Sequence, residues 1–459
     1  MTIEEIKQLF NNQKRYFSSY ATQDRKFRKE NLKKLRTAIL QHKEDLNKAF
    51  FMDLHKSEFE TWSSETGFIL KEIREHLKYL NRWTRKKRVP TPLFLFRSRS
   101  FIQPKPYGCV LIMAPWNYPL QLLFTPLVGA MAAGNCVVLR PSSKVPHITA
   151  VMEKIISENF SPEYITIVKG DRETAGNLLR QNFDYIFFTG SVPVGKKVAE
   201  AAAKHLTPVA LELGGKNPCI VAEDANIEMT ARRIVFGKFL NAGQTCIAPD
   251  YLLVHSSVKE ELVEALKKQI NRFYGENPSK SKDFTHIVDE ANVLRLRELI
   301  KGLKIVTGGN NNLEERYFSP TIVDNIRPDD PIMQEEIFGP VLPVLTYTKA
   351  EEPIHFINDR AIPLVVYLFT SNKKWQKQVL KETCSGSAVI NDTVMQYMNP
   401  ALPFGGKGES GMGKYHGKAN FETFTHYRSV MKKLNKIDYP IRYPHYSAWK
   451  LNIIKIFLR

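Results

Sequence analysis

The residue of this chain best suited to covalent chemistry is Cys246. It closes the run Asn241-Ala242-Gly243-Gln244-Thr245-Cys246, where a small Ala-Gly turn can present the sulfur openly, as a nucleophile requires. Free cysteines are usually small buried hydrophobes, so this fragment alone does not decide for the nucleophile. Glu212 ends a predicted strand in Leu211-Glu212-Leu213-Gly214-Gly215-Lys216. In open α/β sheets the carboxyl ends of the strands face the ligand crevice, which suits a general base; an ion pair with a neighbouring lysine is the plainer alternative. Asn117, in Ala114-Pro115-Trp116-Asn117-Tyr118-Pro119, lies just past another strand end. Its amide can donate to a developing oxyanion or simply serve the turn before Pro119. The segment Phe188-Thr189-Gly190-Ser191-Val192-Pro193-Val194-Gly195 joins a strand to a helix, so Gly190 permits a turn and the helix N-terminus offers N–H groups to pyrophosphate. It lacks the full G-x-G-x-x-G spacing, and an ordinary strand-to-helix turn reads the same way.

The elements that must carry these residues alternate regularly. From Tyr107 to Leu213, apolar runs at Val110 to Met113, Val137 to Leu139, Ile165 to Val168, Tyr185 to Phe188 and Val209 to Leu211 alternate with helix-length segments such as His147 to Glu158 and Val194 to His205. Continuous rather than alternating apolar runs mark strands buried on both faces, and the order predicts a doubly wound parallel sheet of the nucleotide-binding kind. Ahead of it, Ile3 to about Leu80 reads as two or three amphipathic helices, with Ile39, Leu46 and Phe50 among charges. A second α/β region is predicted from strands at Tyr251 to Val254, Val365 to Phe369 and Ala388 to Ile390 and a helix at Lys259 to Phe273. The mixed apolar and basic stretch from Leu93 is expected to pair, as an extended arm, with Phe421 to Val430.

Composition narrows the class. The 459 residues are 43% hydrophobic and 25% charged, an ordinary globular balance that rules out disorder as the main state. The net charge of +19 attracts anions in general, but the basic residues are spread along the chain with no recognition helix or aromatic RNP-type strand, so no nucleic-acid role is assigned. Five cysteines without a C-x-x-C pair argue against a disulfide framework and against a metal site. Cys109, Cys136, Cys219 and Cys384 are read as core. The acidic-polar start and the absence of a long apolar run lead to the expectation of a cytoplasmic protein.

Taken together, Pro115-Trp116-Asn117-Tyr118-Pro119, Phe188-Thr189-Gly190-Ser191, Leu211-Glu212-Leu213-Gly214-Gly215-Lys216, Gly243-Gln244-Thr245-Cys246 and Glu336-Ile337-Phe338-Gly339-Pro340 resemble the NAD(P)-dependent aldehyde dehydrogenases in order and spacing. The ending Ser410-Gly411-Met412-Gly413-Lys414-Tyr415-His416-Gly417-Lys418 looks like the class 3 branch, which includes dimeric enzymes for fatty and aromatic aldehydes. The resemblance implies an α/β fold with a Rossmann-like cofactor domain (1–88 and 104–213), a catalytic domain (214–412), a small β oligomerisation arm (89–103 and 420–436) and a tail (437–459). It also implies that Cys246 attacks the aldehyde, that the Asn117 amide and the Cys246 N–H hold the oxyanion, and that Glu212 activates the water that hydrolyses the thioester. Glu336 and Phe338 would hold the nicotinamide ribose and ring, with Trp116, Gly190, Ser191, Gly195 and Leu213 also toward the cofactor.

One motif departs from the family pattern. Where the family commonly carries Lys-Pro-Ser-Glu near the adenosine ribose, this chain has Arg140-Pro141-Ser142-Ser143. Loss of the carboxylate removes repulsion against a 2′-phosphate, and an arginine could pair with it, so NADP is an alternative to NAD, which the family favours. Leu120, Leu122, Leu123, Met395, Tyr397 and Met398 are expected at the mouth of an apolar substrate funnel for a long aliphatic, aromatic or polyene aldehyde. The tail Trp449 to Arg459 places apolar residues among Lys450, Lys455 and Arg459. It is too short to span a bilayer and suits either packing on protein, including a homodimer partner, or peripheral contact with an anionic membrane. A competing reaction class, CoA-acylating or acyl-reducing chemistry, would exchange the thioester with a thiol and make Glu212 unnecessary. A non-enzymatic scaffold would need none of Cys246, Glu212 and Asn117.

Overall fold

The five apolar runs between Cys109 and Leu213 fold as parallel strands, almost wholly buried, in the spatial order Ile165–Ile167, Cys136–Arg140, Cys109–Met113, Tyr185–Gly190 and Val209–Leu213. The chain winds outward in one direction from Cys109–Met113 and then in the other. The sheet's switch point therefore falls between Met113 and Phe188, where a doubly wound sheet opens its ligand crevice. The loop carrying Asn117 and the turn at Gly190 both leave from this point. The structure is a computed structural model that describes residues 1–458, so Arg459 of the expected tail lies outside the described residues.

Crossover helices cover the sheet. Pro119–Ala133 begins with Pro119, whose fixed φ suits a first helical turn, and every residue of it is buried. It stops at Gly134, which takes the left-handed conformation (φ 94°) that favours glycine. The buried Arg28 guanidinium donates to Ala132 O (3.2 Å), Thr22 O (2.8 Å) and Gln23 O (3.2 Å), placing a cation at the negative end of that helix. Pro146–Ser157 and Val192–Ala203 fall within two residues of the expected helices.

The second region is a seven-stranded sheet in the order Lys304–Thr307, Thr321–Asp324, Val341–Tyr347, Tyr251–His255, Pro218–Val221, Val365–Phe369 and Ser387–Ile390, parallel except at the Lys304–Thr307 edge. Three of these strands match the sequence reading. The other four, Pro218–Val221, Lys304–Thr307, Thr321–Asp324 and Val341–Tyr347, carry no clear sequence signal, because Pro and Gly in the flanking loops mask short runs whose pairing is tertiary. One apolar core runs continuously through both sheets.

Three readings need correction. The N-terminal stretch holds helices at Ile3–Ser18, Arg25–Gln41 and Lys43–Leu54, and then a further rod in which Glu58–Thr61 passes through a π turn at Trp62–Thr66 into Gly67–Trp83. The arm forms further along than expected: Leu93–Leu95 is a short helical turn, and Ser98–Pro106 is the strand that pairs antiparallel with Thr425–Lys433. Phe421 and Phe424 are buried, Phe421 in the helix Gly417–Thr423 and Phe424 at its end, because two bulky aromatics gain more in the core than on an exposed ribbon. Finally, Cys384 is only half-buried and its Sγ lies 3.4 Å from Lys407 Nζ, while Cys109, Cys136 and Cys219 are core.

Candidate active site

Cys246 lies beyond the helix Ile227–Phe239, after a turn in which three successive residues have positive φ: Asn241 (54°), Ala242 (52°) and Gly243 (73°). Two of the three are not glycine, and each such residue costs on the order of 1–3 kcal/mol, so the turn persists only because its surroundings over-determine it. The bracing is visible. Asn241 Nδ2 donates to Asn117 O (2.9 Å) and Gln244 O (3.1 Å), and Gln244 Nε2 donates to Asn241 O (3.0 Å) and His286 O (3.1 Å). Gln244 Oε1 accepts from Val288 N–H at 3.0 Å. Beyond the sulfur, Asn217 Nδ2 holds the carbonyls of Cys246 (2.7 Å) and Ala248 (3.0 Å). Within Asn241–Asp250, Cys246 alone is not buried.

The backbone N–H groups of Cys246 and Ile247 face the sulfur. Burial first, and then the Glu336 and Glu212 carboxylates, push the thiol up to about 12, so the free protein carries it protonated. Asn117 is buried, and its Nδ2 donates to Gln244 O at 3.0 Å. A primary amide has two N–H bonds, and the second remains for a ligand oxygen.

Glu212 is 3% exposed, and neither carboxylate oxygen has a partner among the described residues. Its strand is fixed on both sides, against Thr189 in the parallel sheet and Gly411 in the short antiparallel strand Gly411–Met412. The ion-pair alternative therefore fails: Lys216 pairs with Asp250 and donates to Ile332 O (2.8 Å) and Glu335 O (2.8 Å). Burial raises the Glu212 carboxyl well above the usual range.

Between the two sheets a cleft of about 700 Å³ contains Trp116, Asn117, Gly190, Ser191, Glu212, Leu213, Cys246, Glu336 and Phe338 in its wall. Lys216 and Asp250 hold the loop that presents Glu336 and Phe338, since Asp250 Oδ1 also accepts from Ile337 N–H (3.0 Å). Arg295 adds a bond to Ile337 O at 2.6 Å. Burial and the neighbouring Asp250 push Glu336 up to about 8. Phe338 meets Trp116 edge-on at 5.4 Å. These features suit a dinucleotide: a Cβ on Gly214 would strike Glu336 Oε2, one on Gly190 would strike the Phe188 ring, and the helix Val192–Ala203 opens at Ser191 without a side-chain cap, leaving its N-terminus to an anion.

Three residues assigned to the cofactor are not brought into this wall. The two terminal nitrogens of Arg140 donate to Pro141 O, Gly170 O (2.8 Å) and Asp171 O (2.9 Å), bracing the loop after Ile165–Ile167, so only the buried Nε–H is left without a partner among the described residues and the guanidinium is not presented to a 2′-phosphate in the cleft. Ser143 is exposed and does not line the cleft. Gly195 is buried on the helix, where a Cβ would strike Leu213 Cδ2; its smallness lets the helix approach the Glu212 strand. In the expected funnel, Leu120 and Leu123 are core and Met395 is exposed, whereas Leu122 and Tyr397 line a small apolar pocket of about 40 Å³ on the other side of Cys246. The sequence reading also missed Asn217, Asn241, Gln244 and Asp250 as bracing residues. Asn241 and Gln244 stood in the quoted motif, but nothing in residue type alone told that their amides would be spent on backbone.

A cofactor-sized cleft at a switch point, with a reachable thiol and a buried carboxylate in its wall, fits a dinucleotide-dependent oxidoreductase. The aldehyde dehydrogenase family model matches residues 1–430. The chain is 47% identical over 456 residues to the 4,4'-diaponeurosporen-aldehyde dehydrogenase of Staphylococcus aureus, covering 99% of each. It is 42% identical over 434 residues to human aldehyde dehydrogenase family 3 member B1, covering 93% of each. A solved structure described as the substrate-bound state of Staphylococcus aureus AldH superposes with a TM-score of 0.97 at 46% identity, covering 99% of each chain. The protein belongs to the aldehyde dehydrogenase family and is similar to its class 3 members. It is a nicotinamide-dependent oxidoreductase that converts an aldehyde to a carboxylic acid.

Proposed function

We propose that the substrate is an apolar aldehyde, long-chain aliphatic, aromatic or polyene, and that Cys246, Asn117 and Glu212 carry the reaction. The observation behind this reading is the position of Cys246 at the junction of two spaces, the large cleft on one side and the pocket walled by Leu122, Leu240, Ile247, Val394, Tyr397 and Phe404 on the other. Cys246 gives its thiol proton to solvent in the open cleft as the sulfur attacks the aldehyde carbon, and the resulting oxyanion is received by the free Asn117 N–H and the Cys246 backbone N–H. A bound nicotinamide cofactor supplies the hydride acceptor. Glu212, unprotonated, then takes a proton from water attacking the thioester, and the acid leaves. Exchange with a thiol needs no such base, so the unpartnered Glu212 carboxylate favours hydrolysis over acyl transfer. The Staphylococcus aureus relative is named for 4,4'-diaponeurosporen-aldehyde, and that name supports the same substrate class here.

NAD is the proposed cofactor. Arg140 has both terminal nitrogens engaged on carbonyls, which weakens the main argument for a bound 2′-phosphate, and the missing carboxylate at Ser143 still permits NADP as a slower alternative. The arm supports a homodimer: Thr425–Lys433 is the edge strand of its three-stranded sheet, with an unpaired side open to a second copy. The tail helix Ala448–Phe457 buries none of its residues, and Trp449, Leu451, Ile456 and Leu458 are exposed beside Lys450 and Lys455, an arrangement that suits an anionic membrane surface. Among the described residues no helix is long and apolar enough to cross a membrane. Reduced-cofactor formation across aldehydes of increasing chain length, with NAD and NADP side by side, tests the reading. Activity should rise with chain length and favour NAD; turnover restricted to short polar aldehydes would overturn the substrate class.

A further inference from the structure

The small pocket behind Cys246 is apolar except for a few groups, and nearly all of these are spoken for. The Tyr118 hydroxyl and Thr245 Oγ1 bond each other at 2.7 Å, Ser64 Oγ donates to Glu60 O at 2.7 Å, and the Gln121 side chain bonds the Tyr415 hydroxyl. The exceptions are the Tyr397 hydroxyl, on a half-buried residue, and, fully enclosed, His416. It is 2% exposed, it lines the pocket, and neither Nδ1 nor Nε2 has a partner among the described residues.

The ring's placement is enforced. Phe68 (5.0 Å), Phe404 (5.1 Å) and Tyr415 (4.2 Å) surround it, and the backbone of His416 holds a φ of 74°, a left-handed conformation that a residue with a Cβ adopts only under constraint. The constraint comes from the next residue: Gly417 N–H donates to the buried Glu72 carboxylate at 2.9 Å, and its α-carbon packs so closely on Pro400 O that no side chain fits there. Burial pushes the imidazole down to about 3, so it is neutral and offers one donor and one acceptor. A buried polar group is rarely left unpaired. The pocket, about 40 Å³, has room for water against the roughly 10–15 Å³ that one water needs. A hydrocarbon tail that displaces such water leaves both nitrogens unsatisfied, whereas a tail carrying an oxygen replaces the lost bond.

We propose that His416 is a specificity-determining residue that selects, among apolar aldehydes, those bearing an uncharged oxygen function, hydroxyl or carbonyl, where the chain passes the imidazole. The inference rests on the apolar-aldehyde reading above and refines it. A carboxylate at that place is excluded, because the surrounding aromatic wall would have to desolvate its charge.

The experiment compares kcat/KM for octanal with its hydroxy and oxo derivatives substituted at successive carbons, on the full-length enzyme and on His416→Phe and His416→Gln. The wild-type protein should prefer one positional derivative by about ten-fold over octanal, carried mainly in KM. His416→Phe should erase that preference by raising octanal relative to the derivative, and His416→Gln, which keeps a donor and an acceptor, should restore part of it. A wild-type profile flat across all positions overturns the proposal even if neither variant folds, and so does a preference that survives in His416→Phe. Octanal and every derivative failing while short polar aldehydes turn over would instead sink the apolar-substrate reading.

Discussion

Replacing Glu212 by Gln separates the two halves of the reaction. The side chains are isosteric, Glu212 makes no hydrogen bond among the described residues, and its strand is held by backbone pairing to Thr189 and Gly411, so the substitution removes no structural contact. What it removes is a base. Acylation and hydride transfer need Cys246 and the oxyanion donors, and those remain; deacylation loses general-base assistance, typically about 10²–10⁴ in rate. Rapid mixing with aldehyde and cofactor should therefore show a burst of reduced cofactor near one equivalent per active site, followed by steady turnover slower by two to four orders of magnitude on that estimate. The raised carboxyl adds a second signature. Glu212 is protonated in the folded state to a higher pH than in the unfolded chain, so the wild-type protein is stabilised below the unfolded pKa and loses that contribution as pH rises through the folded one. Glu212→Gln should match wild type in thermal stability at acid pH and exceed it increasingly toward alkaline pH, while the wild-type steady-state rate climbs over the same range as the base ionises. Loss of the burst, or unchanged steady-state turnover, would refute the assignment of Glu212 to the hydrolytic step.

Two further outcomes follow from close contacts and exposure. Gly214→Ala places a methyl against the Glu336 carboxyl, the far end of a flexible side chain, so the fold should survive with a small change in Tm while the cofactor KM rises by about ten-fold, as expected for loss of one hydrogen bond; unchanged cofactor affinity would argue that Glu336 does not hold the ribose. Deleting residues 448–459 should weaken co-sedimentation with anionic vesicles and leave turnover of a soluble aldehyde unaltered. Retained vesicle binding would move the membrane contact elsewhere on this +19 chain.

Much of the site was legible in residue types because covalent chemistry demands particular groups at particular strand ends. Cys246, Glu212 and Asn117, with Glu336 and Phe338, fall on one cleft as the motif order implied, and the continuous apolar runs announced the parallel sheet because strands buried on both faces leave no alternation to find. Burial and partner choice could not be read that way. Arg140 looked like a phosphate ligand until its donors were seen on Gly170 and Asp171, and Leu120 and Leu123 looked like a funnel until they proved to be core. Phe421 and Phe424 left the expected arm for the interior for the same reason.

What the sequence alone determined was the inventory and order of reactive groups, the class of fold and the family they belong to. Only the tertiary structure decided which of those groups go unsatisfied. Glu212 and His416 carry no local signal of their state, yet among the described residues one ends as a carboxylate with no partner and the other as an imidazole with none, because the residues that enclose them come from elements far apart in the chain: the strand at Gly411 beside Glu212, and Phe68 and Glu72 around His416 and its neighbour. Desolvation and hydrogen-bond satisfaction are properties of an enclosure, and an enclosure exists only once distant segments have packed.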